Sequence, residues 1–455
     1  MTPADVIVVG AGCAGLSAAA ALAEAGVRVL VLEARPLAGG RTFATRDAVS
    51  GDWVDNGQHV LLGCYHDTLA FARRIGTIDR LAVQDALRVP MVGAEGRRSE
   101  LRCPALPTPL QLVGGVLGWS ALGWRDRLSV LRLGPALAGA APPPPAQTVR
   151  QWLTAHGQTP RLTAMLWEPL AVAALNQPID VATATTFVEV VRRMLGPGRD
   201  DAALVWPTTS LSATFIDPAT TFVERHGGAV WTGRPAQLVV EPGRVVGVTS
   251  KGERLEASAV VSAVPWHALP ALCGEGAVPP PLASLVAAAS ARRAAPIVTV
   301  NLWFDRPVLD DTFVGLPGRT FQWAFDRGRV TPGEASHLSL VCSGAEAIVD
   351  AANEAIIAHA LADLTTALPA AAAARLLRAT AVRERRATFS LAAGEPPRPA
   401  AVTPLPGFFL AGDWTDTGLP ATIESACVSG HRAAAAVLDY LRVGARPRDP
   451  LAASR

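Results

Sequence analysis

Gly10, Gly12 and Gly15 stand as G-x-G-x-x-G in "VIVVGAGCAGLSAAAALAEAG", a spacing suited to holding a pyrophosphate. The β-branched run Val6 to Val9 precedes them and an Ala-rich helical stretch follows, so they fall in a strand-turn-helix context. In such a turn the first glycine permits a tight reversal and the second lets a phosphate approach the backbone. The third allows the helix to pack on the sheet, while the helix N-terminus around Ala14 offers N–H groups and the positive end of its dipole. The next run, "VRVLVLEA", reads as a second strand ending in Glu33 and Ala34, where a carboxylate can accept hydrogen bonds from an adenosine ribose. A Gly-rich turn in an ordinary βαβ unit is the plain alternative.

The other end of the chain raises a second question. In "AGDWTDTGLPATIESACVSG" (411 to 430) Asp413, Asp416, Thr417 and Glu424 gather before a helical stretch and just after the apolar run "GFFL". Alone, this would read as a solvated loop.

Composition narrows the class. The chain has 455 residues, enough for two domains, with 50% hydrophobic and 18% charged residues and a formal net charge of +2. Acids and bases nearly balance, and Lys251 is the lone lysine, so nothing points to nucleic acid. The six cysteines are scattered without a C-x-x-C pair, which argues against a zinc site or disulfide framework and for a reducing cytoplasm; no metal site is expected. The apolar N-terminal stretch lacks a basic n-region and is broken by glycines at turn spacing, so it reads as structure rather than a signal peptide.

Residues 1 to 62 resemble the FAD-binding start of the flavin amine oxidase superfamily, because "EARPLAGGRTFA" follows the acidic strand end where a nicotinamide dehydrogenase would continue into another βα unit. The resemblance implies FAD as cofactor. Gly39, Gly40 and Arg41 would pass its pyrophosphate, with Arg41 offsetting phosphate charge. Gly412 and Asp413 match the Gly-Asp step that bonds the ribityl chain. Pro420, Ala421 and Thr422 would lead into a helix, from about Ile423 through Ala436, aimed at the isoalloxazine pyrimidine edge. On this reading the polar cluster is a flavin cradle. The superfamily's Asp-x-Gly step places Asp55, Gly57, Gln58 and His59 beside the flavin, and the backbone near Ala236 would meet the adenine.

The implied architecture is an α/β fold: a discontinuous Rossmann-like FAD-binding domain with an α+β substrate-binding domain of amine oxidase type. Expected boundaries are 1–85, 219–267 and 405–445 for the FAD-binding parts, 86–218 and 268–404 for the substrate domain, and 446–455 for a tail. Segment 219–267 carries hairpin signals at "EPGR" and "SKGE", although an unrelated β-meander would read the same way. "TPRLTAMLWEPLAVAAL" and "NEAIIAHALADLTTALPAAAAARLL" read as helices, and "PIVTVNLWF" and "FQWAF" as strands. "CPALPTPLQLVGGVLGWSALGW" (103 to 124) carries no charge and is too broken to span a bilayer. It reads either as a membrane-interface segment, with Trp119 and Trp124 at headgroup level and Arg125 and Arg127 on phosphates, or as a wall of the substrate cavity.

Departures from the amine oxidase pattern narrow the chemistry. Thr422 takes an aromatic position, Ser425 replaces a glycine, Lys251 falls in a hairpin, and Tyr65 and Tyr440 are not placed to complete an amine cage. "VDNGQHVLLGCYHDTLAFARRIG", "LWEPLAVAALNQPIDVATATTFVEVV" and "GDWTDTGLPATIESA" are similar instead to hydroxysqualene dehydroxylases of bacterial squalene and hopanoid synthesis, across nearly the whole chain. That resemblance implies reductive removal of an allylic hydroxyl from hydroxysqualene or a related C30 apolar isoprenoid, with peripheral membrane contact and association with upstream squalene-pathway enzymes. The chemistry needs an acid, for which His59 and Asp55 are candidates, although they equally fit a half-buried histidine and a turn brace. Trp206 and Trp323 are candidate cation-stabilising faces or plain cavity wall, and Glu168 and Asn176 fit helix termination as well as catalysis. A carotenoid-type desaturase or isomerase is the alternative function, and an FAD-bearing isoprenoid-delivery subunit a third.

Overall fold

The computed structural model describes residues 4–46, 51, 53–55, 59–139, 141–198, 200–274, 278–330 and 336–444. Gly57 and Gln58 lie outside them, and of Asp55 only the backbone is described.

Among the described residues, one parallel sheet has five strands in the order Ala229–Trp231, Val29–Leu32, Val6–Val9, Ala259–Ser262, Phe408–Leu410. They come from three distant stretches of chain. The two central strands are buried on both faces, which explains their unbroken β-branched and Leu composition. Alternation divides them between two cores: Val6 and Val8 pack with Leu16, Cys427 and Val437, whereas Ile7 and Val9 pack with Trp266, Leu405 and Trp414. Each fully buried Val or Ile there contributes about 1.5–3 kcal/mol.

The helices Cys13–Glu24 and Ile423–Gly444 pack closely on one face of this sheet. Gly430 makes that approach feasible, since a Cβ there would lie 2.1 Å from Ser17 Oγ and 2.4 Å from the Ala14 carbonyl oxygen. Between the third and fourth sheet strands in sequence, Gln237–Glu241, Arg244–Ser250 and Glu253–Glu256 form the antiparallel meander that the hairpin signals predict.

A second sheet runs Leu376–Phe389, Ala294–Phe304, His337–Ser343, Trp323–Asp326, Phe313–Gly315, Arg88–Val92, Arg98–Arg102 among the described residues. Its pairings are antiparallel except Phe313–Gly315 with Arg88–Val92. One face buries Val298, Val300 and Leu340 against Ile356, Ala360 and Leu364 of the helix Asn353–Ala367. The opposite face carries Ile297, Trp323 and Val341, which border a large cavity.

The helix expected over "TPRLTAMLWEPLAVAAL" forms, but with a wide turn at Thr163–Trp167 between Pro160–Leu162 and Glu168–Leu175. Asn176 ends it in the left-handed conformation, φ 54°.

Candidate active site

The first strand ends at Gly10, whose φ is +111° and whose added Cβ would fall 2.8 Å from the Ala263 carbonyl oxygen. Gly15 admits no side chain either, because its Cβ would meet the Gly10 oxygen at 1.9 Å. Both glycines are therefore required by the fold alone. Gly12 differs: its nearest Cβ neighbour would be Gly40 Cα at 3.8 Å, an ordinary contact, so the fold itself has room for a methyl there. No side chain caps the helix that starts at Cys13, and its first turn holds no acid. A buried helix end whose first N–H groups no side chain caps fits a pyrophosphate, which Gly12, Cys13 and Ala14 would hold.

Glu33 is buried at the end of the second strand. Its Oε2 accepts from the Ala11 N–H at 2.9 Å and its Oε1 from the Arg35 N–H at 2.9 Å, so it braces the phosphate turn while retaining lone pairs for a ribose. Ala34 beside it is exposed. The Arg234 N–H donates to the Glu33 carbonyl at 2.8 Å, which brings the 232–236 segment, and with it half-buried Ala236, to this corner. Gly39, at φ +118°, donates its N–H to the Ala11 carbonyl at 2.8 Å, so Gly39 and Gly40 pack on the same turn.

Arg41 reaches from that turn to the other end of the chain. Its Nη2 lies 2.7 Å from Asp413 Oδ1 and its Nη1 donates to the Ala387 carbonyl at 2.8 Å. Burial draws its pKa down, but Asp413 first, and then Glu384 and Cys13, raise it, and the net shift is upward. This pair joins residues 372 positions apart and ties both ends of the chain at the edge of the cavity. Gly412, at φ +136°, donates its N–H to Ser429 Oγ at 2.8 Å, and a Cβ on it would clash with the Trp414 ring at 2.8 Å. Buried Asp413 is thereby fixed at the strand end.

Pro420 and Ala421 lead to Thr422, which caps the final helix: its Oγ1 accepts from the Ser425 N–H at 3.1 Å. Ala421, Thr422 and Ile423 line the cavity, so this helix start faces it. The helix continues past Ala436 to Gly444.

The expected polar cradle is narrower than its composition suggests. Glu424 is fully buried on the other side of the helix, where it accepts from Thr68 N–H and Oγ1, both at 2.8 Å, and from the Asp67 N–H at 3.2 Å. It thus caps the helix His66–Arg74. Asp416 is exposed, and Thr417 Oγ1 pairs with Ser425 Oγ at 2.6 Å. Of this stretch the helix start, Ala421 to Ile423, lines the cavity, and Asp413 is bonded to Arg41 of its wall.

The cavity has a volume of about 790 Å³ and a predominantly apolar wall. His59, Trp206 and Trp323 line it, and so does Tyr65, which sequence reasoning set aside. Asn176 borders it but is spent on structure, donating to the Ala295 carbonyl at 3.1 Å and Thr388 Oγ1 at 3.0 Å. Glu168 faces the surface, 3.9 Å from Arg150. Two charged wall residues were missed altogether: Arg192, which donates to carbonyls of the 136–141 segment, and Glu384, hidden in the charge run "RERR".

Segment 103–138 is two-faced. Leu112, Val113, Val116 and Leu137 line the cavity, while Leu106, Leu110, Leu128 and Trp124 are exposed, Trp124 at 68%. Trp119 does not share that surface, being buried to 1% exposure, and Arg127 is bonded to the Leu117 and Leu122 carbonyls. Among the described residues no helix is long and apolar enough to cross a membrane.

Residues 13–438 match the flavin containing amine oxidoreductase family. The chain belongs to that family and is an FAD-dependent oxidoreductase. Within it, the chain is 33% identical over 443 residues to hydroxysqualene dehydroxylase of Rhodopseudomonas palustris, covering 95% of this chain and 98% of that one. It is 27% identical to 15-cis-phytoene desaturase of Solanum lycopersicum, covering 96% and 78%. An oxidoreductase crystal structure from Methanosarcina mazei has the same fold, with a TM-score of 0.74 at 18% identity over 95% of this chain and 99% of that one. FAD, when bound, supplies hydride transfer at its isoalloxazine ring.

Proposed function

We propose that the protein removes the allylic hydroxyl of hydroxysqualene reductively: hydroxysqualene, a proton and a hydride equivalent give squalene and water. The observation carrying this reading is the cavity. At about 790 Å³ it lies in the upper part of the roughly 300–1,000 Å³ range of small-molecule sites, and its wall offers a long isoprenoid little but hydrocarbon. The 33% identical relative supports the choice of substrate.

Hydroxide is a poor leaving group, so the C–O bond breaks as an acid protonates its oxygen. His59, in the cavity wall, is the group we assign to that proton, with Asp55 as its neighbour in sequence. The apolar wall excludes water that would otherwise recapture the allylic cation. Arg41 and Asp413 fix the two chain ends at the flavin side. The exposed Leu110, Leu128 and Trp124, on the outside of the segment whose inner face is cavity wall, form the patch we assign to a lipid surface, from which an apolar substrate would enter.

The test is anaerobic. The bound flavin is reduced, hydroxysqualene is added, and flavin absorbance is followed while extracted lipid is assayed for squalene. Flavin reoxidation matched by squalene is the expected result; flavin that stays reduced over unchanged substrate refutes it. The phytoene desaturase relative favours a second reading, the same cavity used oxidatively, for which oxidised flavin bleached by a saturated isoprenoid would be the sign.

A further inference from the structure

We propose that the Thr388 hydroxyl, held by Asn176, donates a hydrogen bond to the oxygen of an isoprenoid alcohol, so that the cavity binds the alcohol in preference to the hydrocarbon of the same skeleton. This inference rests on the dehydroxylation reading, in which the alcohol is substrate and the hydrocarbon product.

Asn176 ends the helix Glu168–Leu175 in the left-handed conformation and is buried to 3% exposure, where an amide needs partners for its polar atoms. Its Oδ1 accepts from the Gly344 N–H at 2.8 Å, and its Nδ2 donates to the Ala295 carbonyl at 3.1 Å and to Thr388 Oγ1 at 3.0 Å. The Gly344 N–H can only donate and the Ala295 carbonyl can only accept, so the two ends of the amide are not interchangeable. Thr388 Oγ1 is therefore the acceptor in its bond to Asn176, and its own proton points elsewhere. Among the described residues no protein acceptor takes that proton.

Both Thr388 and Asn176 border the cavity. Thr388 stands across from Ala295, and the register of the strand Leu376–Phe389 shifts between that pair and the next, Glu384 with Ile297. In the shifted stretch the carbonyl of Ala387, the residue before Thr388, receives Arg41, which holds Asp413. The hydroxyl is thus fixed at the flavin side of a largely apolar wall. Two other hydroxyls of the wall differ. Thr422 Oγ1 accepts from the Ser425 N–H and donates to the Pro420 carbonyl at 3.3 Å, so its proton is spent. Ser343 is bonded to Gln322 through its backbone, and no protein atom directs its hydroxyl. A hydrocarbon laid against Thr388 leaves a donor unpaired in apolar surroundings, whereas an alcohol satisfies it. Accepting that bond with one lone pair, the carbinol oxygen keeps the other for the proton that makes it a leaving group. The product has no oxygen for Thr388 to hold, which favours its release.

The test uses the oxidised FAD-loaded protein, which on the dehydroxylation reading binds hydroxysqualene without turning it over. Hydroxysqualene and squalene are titrated separately and followed by tryptophan fluorescence, since Trp206 and Trp323 line the cavity, with the bound-flavin spectrum confirming each fold. Wild type should bind the alcohol about tenfold more tightly than the hydrocarbon. Thr388→Val should bring the two within about twofold by weakening the alcohol, Thr388→Ser should restore the preference, and Ser343→Ala should leave it unchanged. If Thr388→Val does not retain flavin, Thr388→Ala, which leaves room for water on Asn176, takes its place. A preference that survives loss of the Thr388 hydroxyl, that disappears in Ser343→Ala instead, or that wild type never shows overturns the proposal and leaves the dehydroxylation reading standing. Loss of FAD from both Thr388 variants assigns the hydroxyl to the cofactor and overturns it too. Wild type that binds neither ligand overturns both.

Discussion

The contrast between Gly12 and Gly15 makes the cofactor geometry testable with one methyl group at a time. In Gly15→Ala the new Cβ would sit 1.9 Å from the Gly10 oxygen and 3.1 Å from Ala263 Cβ, so the helix must lift from the sheet at a cost of about 3 kcal/mol. In Gly12→Ala the Cβ meets nothing closer than 3.8 Å, and the residue's φ of −83° suits alanine. The unfolding free energy of the FAD-free protein should then fall by no more than about 1 kcal/mol, the penalty for alanine at a helix N-cap. The methyl, however, occupies the space a pyrophosphate needs to reach the helix N–H groups. Losing two charge-assisted hydrogen bonds at about 1.5 kcal/mol each predicts an FAD affinity about a hundredfold weaker. Urea unfolding of the FAD-free protein and calorimetric FAD titration separate the two effects. Gly12→Ala protein that binds FAD like wild type, or that unfolds as readily as Gly15→Ala, would refute the reasoning.

Other consequences can be measured independently. Trp124→Ala combined with Leu128→Ser should reduce co-sedimentation with phospholipid vesicles by about tenfold or more, since each removes up to about 1.5–3 kcal/mol of apolar burial, while squalene affinity stays unchanged; undiminished vesicle binding would refute the lipid-facing patch. Burial raises the Glu424 pKa, against the bonds from Thr68 and Asp67 that lower it. The folded protein therefore keeps a proton that the unfolded chain releases near the ordinary value of 4.5, and stability from this group falls as pH rises from there through the folded value. Urea midpoints of wild type should drop over that window relative to Glu424→Gln, and parallel curves would contradict the assignment. Burial holds the Cys13 and Cys103 thiols at about 11 and those of Cys64 and Cys342 at about 12. At pH 8 a thiol reagent should modify half-buried Cys273 first and the other five only as the protein unfolds; a second rapidly reacting thiol would count against this packing.

Local geometry explains why the glycine turn, the buried strand and the carboxylate at a strand end were legible beforehand. A glycine needed at φ +111°, a strand buried on both faces and a carboxylate at a strand end all leave marks within a few residues of one another. Thr422, read from the sequence as a departure from amine oxidases, proves to cap the final helix, a role that reading did not assign. A charge run does not show which residue a strand turns inward: in "RERR" Glu384 lines the cavity while Arg383 and Arg385 turn to the helix side. Trp119 and Trp124 form a similar pair, alike in sequence context but opposite in burial.

By itself the sequence determined the dinucleotide turn, the parallel strands that position it and the apolar character of whatever fills the second half of the molecule, because backbone conformation and hydrophobic periodicity are short-range properties. Tertiary structure alone decided that Arg41 meets Asp413 across 372 residues, that Glu424 caps a distant helix, and that Glu384 joins a cavity wall assembled from residues between Arg41 and Ile423. Those outcomes depend on which surfaces close over one another when the core is buried, and side-chain partners chosen by that closure leave no periodic trace along the chain.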